Sequence, residues 1–304
     1  MSSLALYAIV RDEEKRLPTF LKACERFCDA YLICDTGSKD RTRTIARRWL
    51  KTHEGRLIEH PWQDSFADSL NVALKEARSL GTSHLFQSGV AEVPRLLRGR
   101  PAKLPSVALV PWRLGNLHWT LPFLHAADTP CEYVGRTHSY LRIEQNGARE
   151  ARWLSMTDTD PHTDRPAKLE RDRRLLELDH LDDPAEPRWV FYLAQTYRIL
   201  GNPEKAGKLY RLRQMMGGWE EEAWYAGYME GLLCDSTHLL LKAWERRPTR
   251  AEPLRVLERG YRSQGCEQLA NWFREKADAI PWPTGDTLFI ETDSYAEPPA
   301  DATP

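Results

Sequence analysis

The sequence predicts an α/β domain followed by an all-α domain. Three observations lead there: a strand–helix–strand unit at residues 4–40, continued alternation of short apolar runs with helical spacing, and an almost wholly helical pattern after Arg165. The expected boundaries are 1–164 for the α/β domain and 165–290 for the helical domain. Residues 291–304, rich in Pro, Ala and Asp, are expected to be a disordered tail.

Leu4 to Val10 is an apolar run of strand length, followed by the charged turn Arg11-Asp12-Glu13-Glu14. Leu17, Phe20, Leu21, Cys24 and Phe27 then recur at helical spacing, with Pro18 tolerated in a first turn. Tyr31 to Cys34 is a second strand, ending in Asp35-Thr36-Gly37-Ser38. This is a βαβ unit, and both acidic turns fall at the carboxyl ends of its strands, where open parallel sheets bind ligands.

A helix with Thr42, Ile45, Ala46 and Trp49 on one face comes next, then a strand near Arg56 to Glu59 and a turn at Pro61 to Ser65. Phe66 to Ala77 reads as a helix and His84 to Gln87 as a strand. The stretch from Arg95 to Lys103 reads as an irregular basic loop. Val107 to Trp112 and Trp119 to Leu124 read as late strands, and Tyr133 to His138 as the close of the sheet. Residues 151–164, with Asp158, Asp160, Pro161, His162 and Asp164, read as an exposed connection.

In the second half, Val190, Leu193, Ala194, Tyr197, Ala206 and Tyr210 fall at the offsets of a tetratricopeptide unit. Leu257, Tyr261, Ala270 and Ala277 repeat them about two periods on. Gly201-Asn202-Pro203 and Gly217-Gly218 interrupt the helices. Such repeats bury their apolar faces against neighbours and leave a grooved surface.

The net charge of −1 gives no global attraction to nucleic acid or to anionic membrane. No apolar stretch approaches the ~20 residues of a membrane helix. The six cysteines lack CxxC spacing, so buried free thiols in a cytoplasmic protein are expected rather than a zinc site or a disulfide framework.

The stretches IVRDEEKRLPTFL, DAYLICDTGSKDRTRTIA and EHPWQDSFADSLNVALKEA together resemble the nucleotide-sugar half of family 2 glycosyltransferases, which have the GT-A fold. WTLPFLHAADTPCEYVGRTHSYL resembles the acceptor-side part of that domain. RWVFYLAQTYRILGNPEKAGKLYRLRQMMGGWEEEAWYAGY is similar to helical repeats fused to one bacterial and phage branch of the family. The resemblance implies a GT-A (Rossmann-like) nucleotide-sugar domain followed by an all-α tetratricopeptide-like domain. It implies transfer of a sugar from a nucleotide-sugar donor, a UDP-sugar foremost, to an acceptor hydroxyl.

On this reading Asp35 accepts a hydrogen bond from a pyrimidine N–H or a ribose hydroxyl, with Glu13 and Asp64 matching the family's donor pocket. Arg11, Asn71 and Arg136 complete the donor-side set. Acidic residues after strands also serve as plain helix caps, and that alternative stays open. The family's two metal-binding aspartates correspond to Gly89 and Ala91, which cannot ligate a hard cation, so no metal ligand is assigned and any divalent ion is expected to be weakly held or absent. Arg136, His138 or the Arg95–Lys103 loop would then face the leaving diphosphate. Glu92, Asp128 and His138 are the catalytic candidates, and Trp112 and Trp119 the candidates for stacking on a sugar ring. The helical repeats suggest a protein or peptide acceptor. Two alternatives are a transferase-like binding protein without activity and an enzyme glycosylating modified DNA bases; the net charge argues against the second.

Overall fold

The computed structural model describes residues 1–115, 117–158 and 166–296. The chain divides into two compact units, Met1–Leu114 with Thr120–His162, and Gly115–Trp119 with Thr163–Pro304.

The first unit begins with β1 (Leu4–Val10), α1 (Leu17–Cys24), β2 (Ala30–Asp35), α2 (Thr42–Trp49), β3 (Gly55–Glu59), α3 (Phe66–Arg78) and β4 (His84–Gln87). It continues with β5 (Glu92–Leu96), β6 (Val107–Leu114), β7 (Leu117–Ala126), β8 (Cys131–Val134), β9 (Tyr140–Ile143), β10 (Arg149–Glu150) and β11 (Leu154–Asp158). The main sheet runs β3-β2-β1-β4-β7-β6-β11-β5, with β10 beside β6. The β3-β2-β1-β4 half is parallel, and β7 joins it antiparallel. This is the Rossmann-like α/β arrangement expected of a GT-A domain. Both faces of β1 and β2 are covered, which is why these strands are continuous apolar runs rather than alternating ones. Leu6, Phe20, Ile33 and Phe86 pack on one face; Tyr7, Leu32, Ala73 and Leu85 pack on the other.

Gly55 opens β3 at φ +145°, and a Cβ there would lie 2.0 Å from the Tyr31 carbonyl oxygen. Only glycine admits this approach of two strands. Ser65 caps α3 by accepting from the Asp68 amide at 3.1 Å, the expected start of that helix.

The first unit departs from the sequence expectation at three places. Tyr133 to His138 does not close the main sheet: among the described residues β8 and β9 pair only with each other, as a separate antiparallel hairpin. Part of the basic loop is strand, since Glu92–Leu96 pairs with β11; Arg100 is tied to Asp29 at 2.7 Å and to the Phe27 carbonyl. The connection after residue 151 begins as a core strand, with Leu154 and Met156 fully buried between β6 and β5. Asp160, Pro161, His162 and Asp164 lie outside the described residues.

The second unit holds α4 (Pro166–Asp182), α5 (Pro187–Ile199), α6 (Pro203–Met215), α7 (Glu220–Leu233), α8 (Thr237–Arg246), α9 (Glu252–Ser263), α10 (Glu267–Asp278) and β12 (Ile290–Glu291). Each helix packs on the next, giving the pairs α5–α6, α7–α8 and α9–α10 of a tetratricopeptide-like array. The repeat positions are the packed ones: Val190, Ala194, Ala206, Tyr210, Ala270 and Ala277 are all fully buried. Asn202 and Ser236 cap α6 and α8 by accepting from the Lys205 and Leu239 amides. Beneath α7 and α9, the buried Arg250 donates to Glu252 at 2.7 Å, to Asp286 at 3.3 Å and to the Leu288 and Phe289 carbonyls. Its guanidinium lies 4.2 Å from the centre of the Trp224 ring.

Residues at the start of the expected tail are ordered. β12 pairs with Leu117 and His118, a 3₁₀ turn follows at Thr292–Ser294, and the buried Tyr295 hydroxyl donates to Glu252. Residues 297–304 lie outside the described residues. Cys24, Cys28 and Cys34 are buried thiols, whereas Cys234 and Cys266 are exposed, against the expectation that all would be buried. Among the described residues, no helix is long and apolar enough to cross a membrane.

Candidate functional site

β1, β2 and β3 end level with one another, because Val10 pairs with Asp35 and Asp35 with Glu59. Three loops therefore leave one edge side by side. Hydrogen bonds stitch the first two together. The Asp12 amide donates to Ser38 Oγ at 3.0 Å, the Glu13 amide to Thr42 Oγ1 at 2.7 Å, and the Glu14 amide to Asp40 Oδ2 at 3.0 Å. In return the Lys39 amide donates to Asp12 Oδ1 and the Arg41 amide to Glu14 Oε2.

The third loop joins them through its backbone. The His60 amide donates to the Asp35 carbonyl and the Trp62 amide to the Thr36 carbonyl. Trp62 Nε1 donates to Asp64 Oδ1 at 3.0 Å. The first amides of α3, Phe66 and Ala67, donate to the carbonyls of Arg136 and Gly135. This brings the loop after β8 to the same place. Four loops thus form one hydrogen-bonded rim, carrying Arg11, Glu13, Asp35, Asp64, Arg136 and His138.

Asp35 is the centre of this rim. Its carboxylate is 1% exposed. Oδ1 accepts from the Gly37 amide at 3.1 Å and the Ser38 amide at 3.0 Å, and Arg43 Nε stands 4.0 Å away. Oδ2 is buried and, among the described residues, has no hydrogen-bond partner. Leaving such an oxygen unsatisfied costs about 1–3 kcal/mol, and more for a charged group, so it is a position awaiting a donor. The cap explanation accounts for one oxygen of Asp35 and leaves the other unexplained.

Backbone strain gathers at the same rim. Among the described residues, the non-glycine residues at positive φ are Asp12 (55°), Asp64 (55°), His138 (45°), Asp235 (45°) and Phe289 (44°). The first three lie on these loops. Strained backbone of this kind persists where surrounding structure holds it and collects at ligand sites. Arg11, Asp64 and His138 are exposed, and Glu13 is partly buried beside Arg16 at 3.6 Å.

One expected site residue is tied to the backbone of β8 and another lies at the other edge of the sheet. Asn71 pairs with the backbone of Tyr133 in both directions: its Nδ2 donates to the carbonyl at 2.9 Å and its Oδ1 accepts from the amide at 2.7 Å. It fastens β8 to α3. Asp128 follows the end of β7, and β7 runs antiparallel to β4, with Ala126 opposite His84. Asp128 therefore lies at the amino edge of the parallel strands, away from the loops that carry Asp35. Glu92 stands at the start of β5, and its carboxylate accepts from the Gly89 amide at 2.8 Å, with Ser88 Oγ 3.4 Å away.

Trp112 packs edge-to-face on Phe123, and Trp119 on Phe289. His60 bonds Asp68 at 2.7 Å, and His125 is buried beside Tyr7. Burial lowers the pKa of His125, which keeps it neutral.

The residues present do not fit a divalent ion at the strand end. Gly89 and Ala91 supply no side-chain oxygen, and the Glu92 carboxylate is turned onto the Ser88-Gly89 backbone. Among the described residues, no group of three or more His, Cys, Asp and Glu side chains is arranged to hold a metal ion.

Asp12, Ser38, Asp40 and Thr42 were not singled out from the sequence, yet they hold the rim together. The signal for one of them was present: Asp40-Arg41-Thr42 is an Asx turn, with Asp40 Oδ1 accepting from the Thr42 amide at 2.9 Å. Burial pushes the Asp40 carboxyl up, but the Thr42 hydroxyl and amide and the Glu14 amide outweigh it, so its pKa lies below the ordinary value. Burial, and then the neighbouring Asp35, push the Cys34 thiol up to about 12.

No family model matches the chain. A tetratricopeptide repeat-containing protein of Synechococcus elongatus is 37% identical over 78 residues, which is 25% of this chain and 18% of that protein. This chain thus matches well under two thirds of that relative's length. Among solved structures, residues 1–349 of S. aureus TarS in complex with UDP-GlcNAc align over 95% of this chain and 99% of that one, at 9% identity and a TM-score of 0.40. The crystal structure of MamA aligns over 36% of this chain and 67% of that one, at 20% identity and a TM-score of 0.32. The chain is similar, at this distance, to a structure of TarS over most of its length, and to MamA and one tetratricopeptide repeat-containing protein over part of it.

Proposed function

We propose that the α/β unit binds a nucleotide sugar, a UDP-sugar foremost, and transfers the sugar to an acceptor hydroxyl. The single observation that carries this reading is the buried Asp35 carboxylate, whose Oδ2 lacks a donor at the carboxyl edge of a parallel sheet. A pyrimidine N–H or a ribose hydroxyl is the donor it suits. Arg11 and Arg136 supply positive charge on the same rim for a diphosphate. The helical unit supports a protein or peptide acceptor. A cleft of about 440 Å³ there is lined by Gln214, Trp224, Leu239, Lys242 and Arg246 from α6, α7 and α8.

The test is a UDP-release assay over a panel of UDP-sugars, with peptide and protein acceptors, beside calorimetric titration with UDP. Acceptor-dependent release supports transfer. Absence of UDP binding defeats the donor reading.

One observation favours a second reading, a nucleotide-binding protein without transfer. Of the two carboxylates expected to act as base, Asp128 lies at the far edge and Glu92 is bonded to a turn. UDP binding without release from any UDP-sugar would select that reading.

A further inference from the structure

The strand-end turn after β4 explains why residue 89 is glycine. Its φ is not in the left-handed range, so backbone conformation does not demand glycine. A Cβ there would instead lie 2.9 Å from Glu92 Oε1 and 3.2 Å from Glu92 Cδ. The missing side chain is what makes room for the Glu92 carboxylate. Residues 89–92 then close on themselves twice. The Glu92 amide donates to the Gly89 carbonyl at 3.1 Å, and the Gly89 amide donates to Glu92 Oε2 at 2.8 Å. The hydroxyl of the fully buried Ser88 lies in the same turn, 3.1 Å from the Gly89 carbonyl and 3.4 Å from that carboxylate oxygen. A side chain at 89 and this position of Glu92 exclude each other.

We infer that Glu92 is a positioning residue: its carboxylate locks the Ser88–Glu92 turn by hydrogen bonds, and the site handles a diphosphate without a divalent cation. The inference rests on the nucleotide-sugar reading for its ligand, though not for the turn itself. A hard cation requires several oxygens, and here a single carboxylate, held by the Gly89 amide, stands beside positions 89 and 91 that offer no side-chain oxygen. Glycine at 89 and the carboxylate at 92 form one device, because the first provides the space the second fills.

The test uses the full chain and four proteins: the unaltered chain, Glu92→Ala, Glu92→Gln and Gly89→Ala. Amide hydrogen exchange at residue 89 reads the turn. Exchange should rise at least about tenfold in Glu92→Ala, stay near the unaltered value in Glu92→Gln, whose amide oxygen still accepts, and rise in Gly89→Ala, where the new methyl displaces the carboxylate. Titration with MnCl₂ alone should show no saturable binding to the unaltered chain. UDP affinity should change by less than about tenfold, ~1.4 kcal/mol, between manganese and a chelator. Saturable manganese binding that Glu92→Gln abolishes would make Glu92 a metal ligand and overturn the inference. So would unchanged exchange at residue 89 in both Glu92→Ala and Gly89→Ala. If no UDP binds in either buffer, the nucleotide-sugar reading fails, while the exchange and manganese experiments still decide the role of Glu92.

Discussion

Replacing Asp35 by Asn should move binding and stability in different directions. Asparagine keeps an oxygen where Oδ1 accepts from the Gly37 and Ser38 amides, so the turn after β2 retains both bonds. It puts an NH₂ where Oδ2 now sits without a partner. A ligand donor meeting that NH₂ loses a hydrogen bond to a charged acceptor, worth about 1.5–3 kcal/mol. Kd for UDP should therefore rise about 10- to 100-fold. In the free protein the substitution removes a desolvated charge, keeps both amide bonds and gives up only the 4.0 Å contact with Arg43, so stability should fall little if at all. Calorimetry with UDP reads the first effect and a thermal melt the second. A variant with unaltered UDP affinity would remove Asp35 from the pocket. A Tm lower by more than about 4 °C, roughly 1 kcal/mol in a domain of ~150 residues, would make Asp35 a fold residue.

Other substitutions test the frame around the site. Gly55→Ala forces a methyl against the Tyr31 carbonyl at 2.0 Å and should destabilise by more than about 2 kcal/mol in urea unfolding. Asn71→Ala strips both bonds from the Tyr133 backbone and should cost about 1–3 kcal/mol, with UDP affinity changed less than by Asp35→Asn. Asp40 has its pKa depressed in the folded protein, so its contribution to stability is present above its ordinary value of 3.8 and is lost as pH falls through the folded value. Asp40→Asn should accordingly flatten the loss of stability below about pH 4, read from melts across that range.

The βαβ unit was legible because its signals are local. Apolar runs of strand length, helical spacing between them and acidic turns after them all lie within residues 4–40. Asp35 followed from that pattern, since the end of a parallel strand fixes the edge its next residues occupy. Asp128 did not follow, because the edge reached by a later strand depends on its direction. β7 is antiparallel to β4, and nothing in its own residues says so. β11 was not legible for lack of apolar contrast: only Leu154 and Met156 are apolar in it, and an acidic polar stretch follows. Glu92 carries no local signal of its contacts. Its role depends on a side chain folding back three residues, into space that exists only because Gly89 lacks a Cβ.

The burial of Arg250 sets a chemical boundary for the helical unit. That guanidinium has no exposed surface, and its partners are spread from Glu252 to Asp286 and to the carbonyls of Leu288 and Phe289. Glu252 in turn accepts from the Glu291 amide and the Tyr295 hydroxyl. The last strand and turn therefore complete the hydrogen bonding of the carboxylate that faces this cation. A fragment ending at residue 290 would keep the cation and its first partners but strip two donors from the carboxylate that neutralises it. One beginning at residue 165 would also lack Leu117 and His118, against which β12 pairs. The smallest separable form of this unit is discontinuous in sequence: helices, closing segment and a short hairpin tip drawn from far upstream.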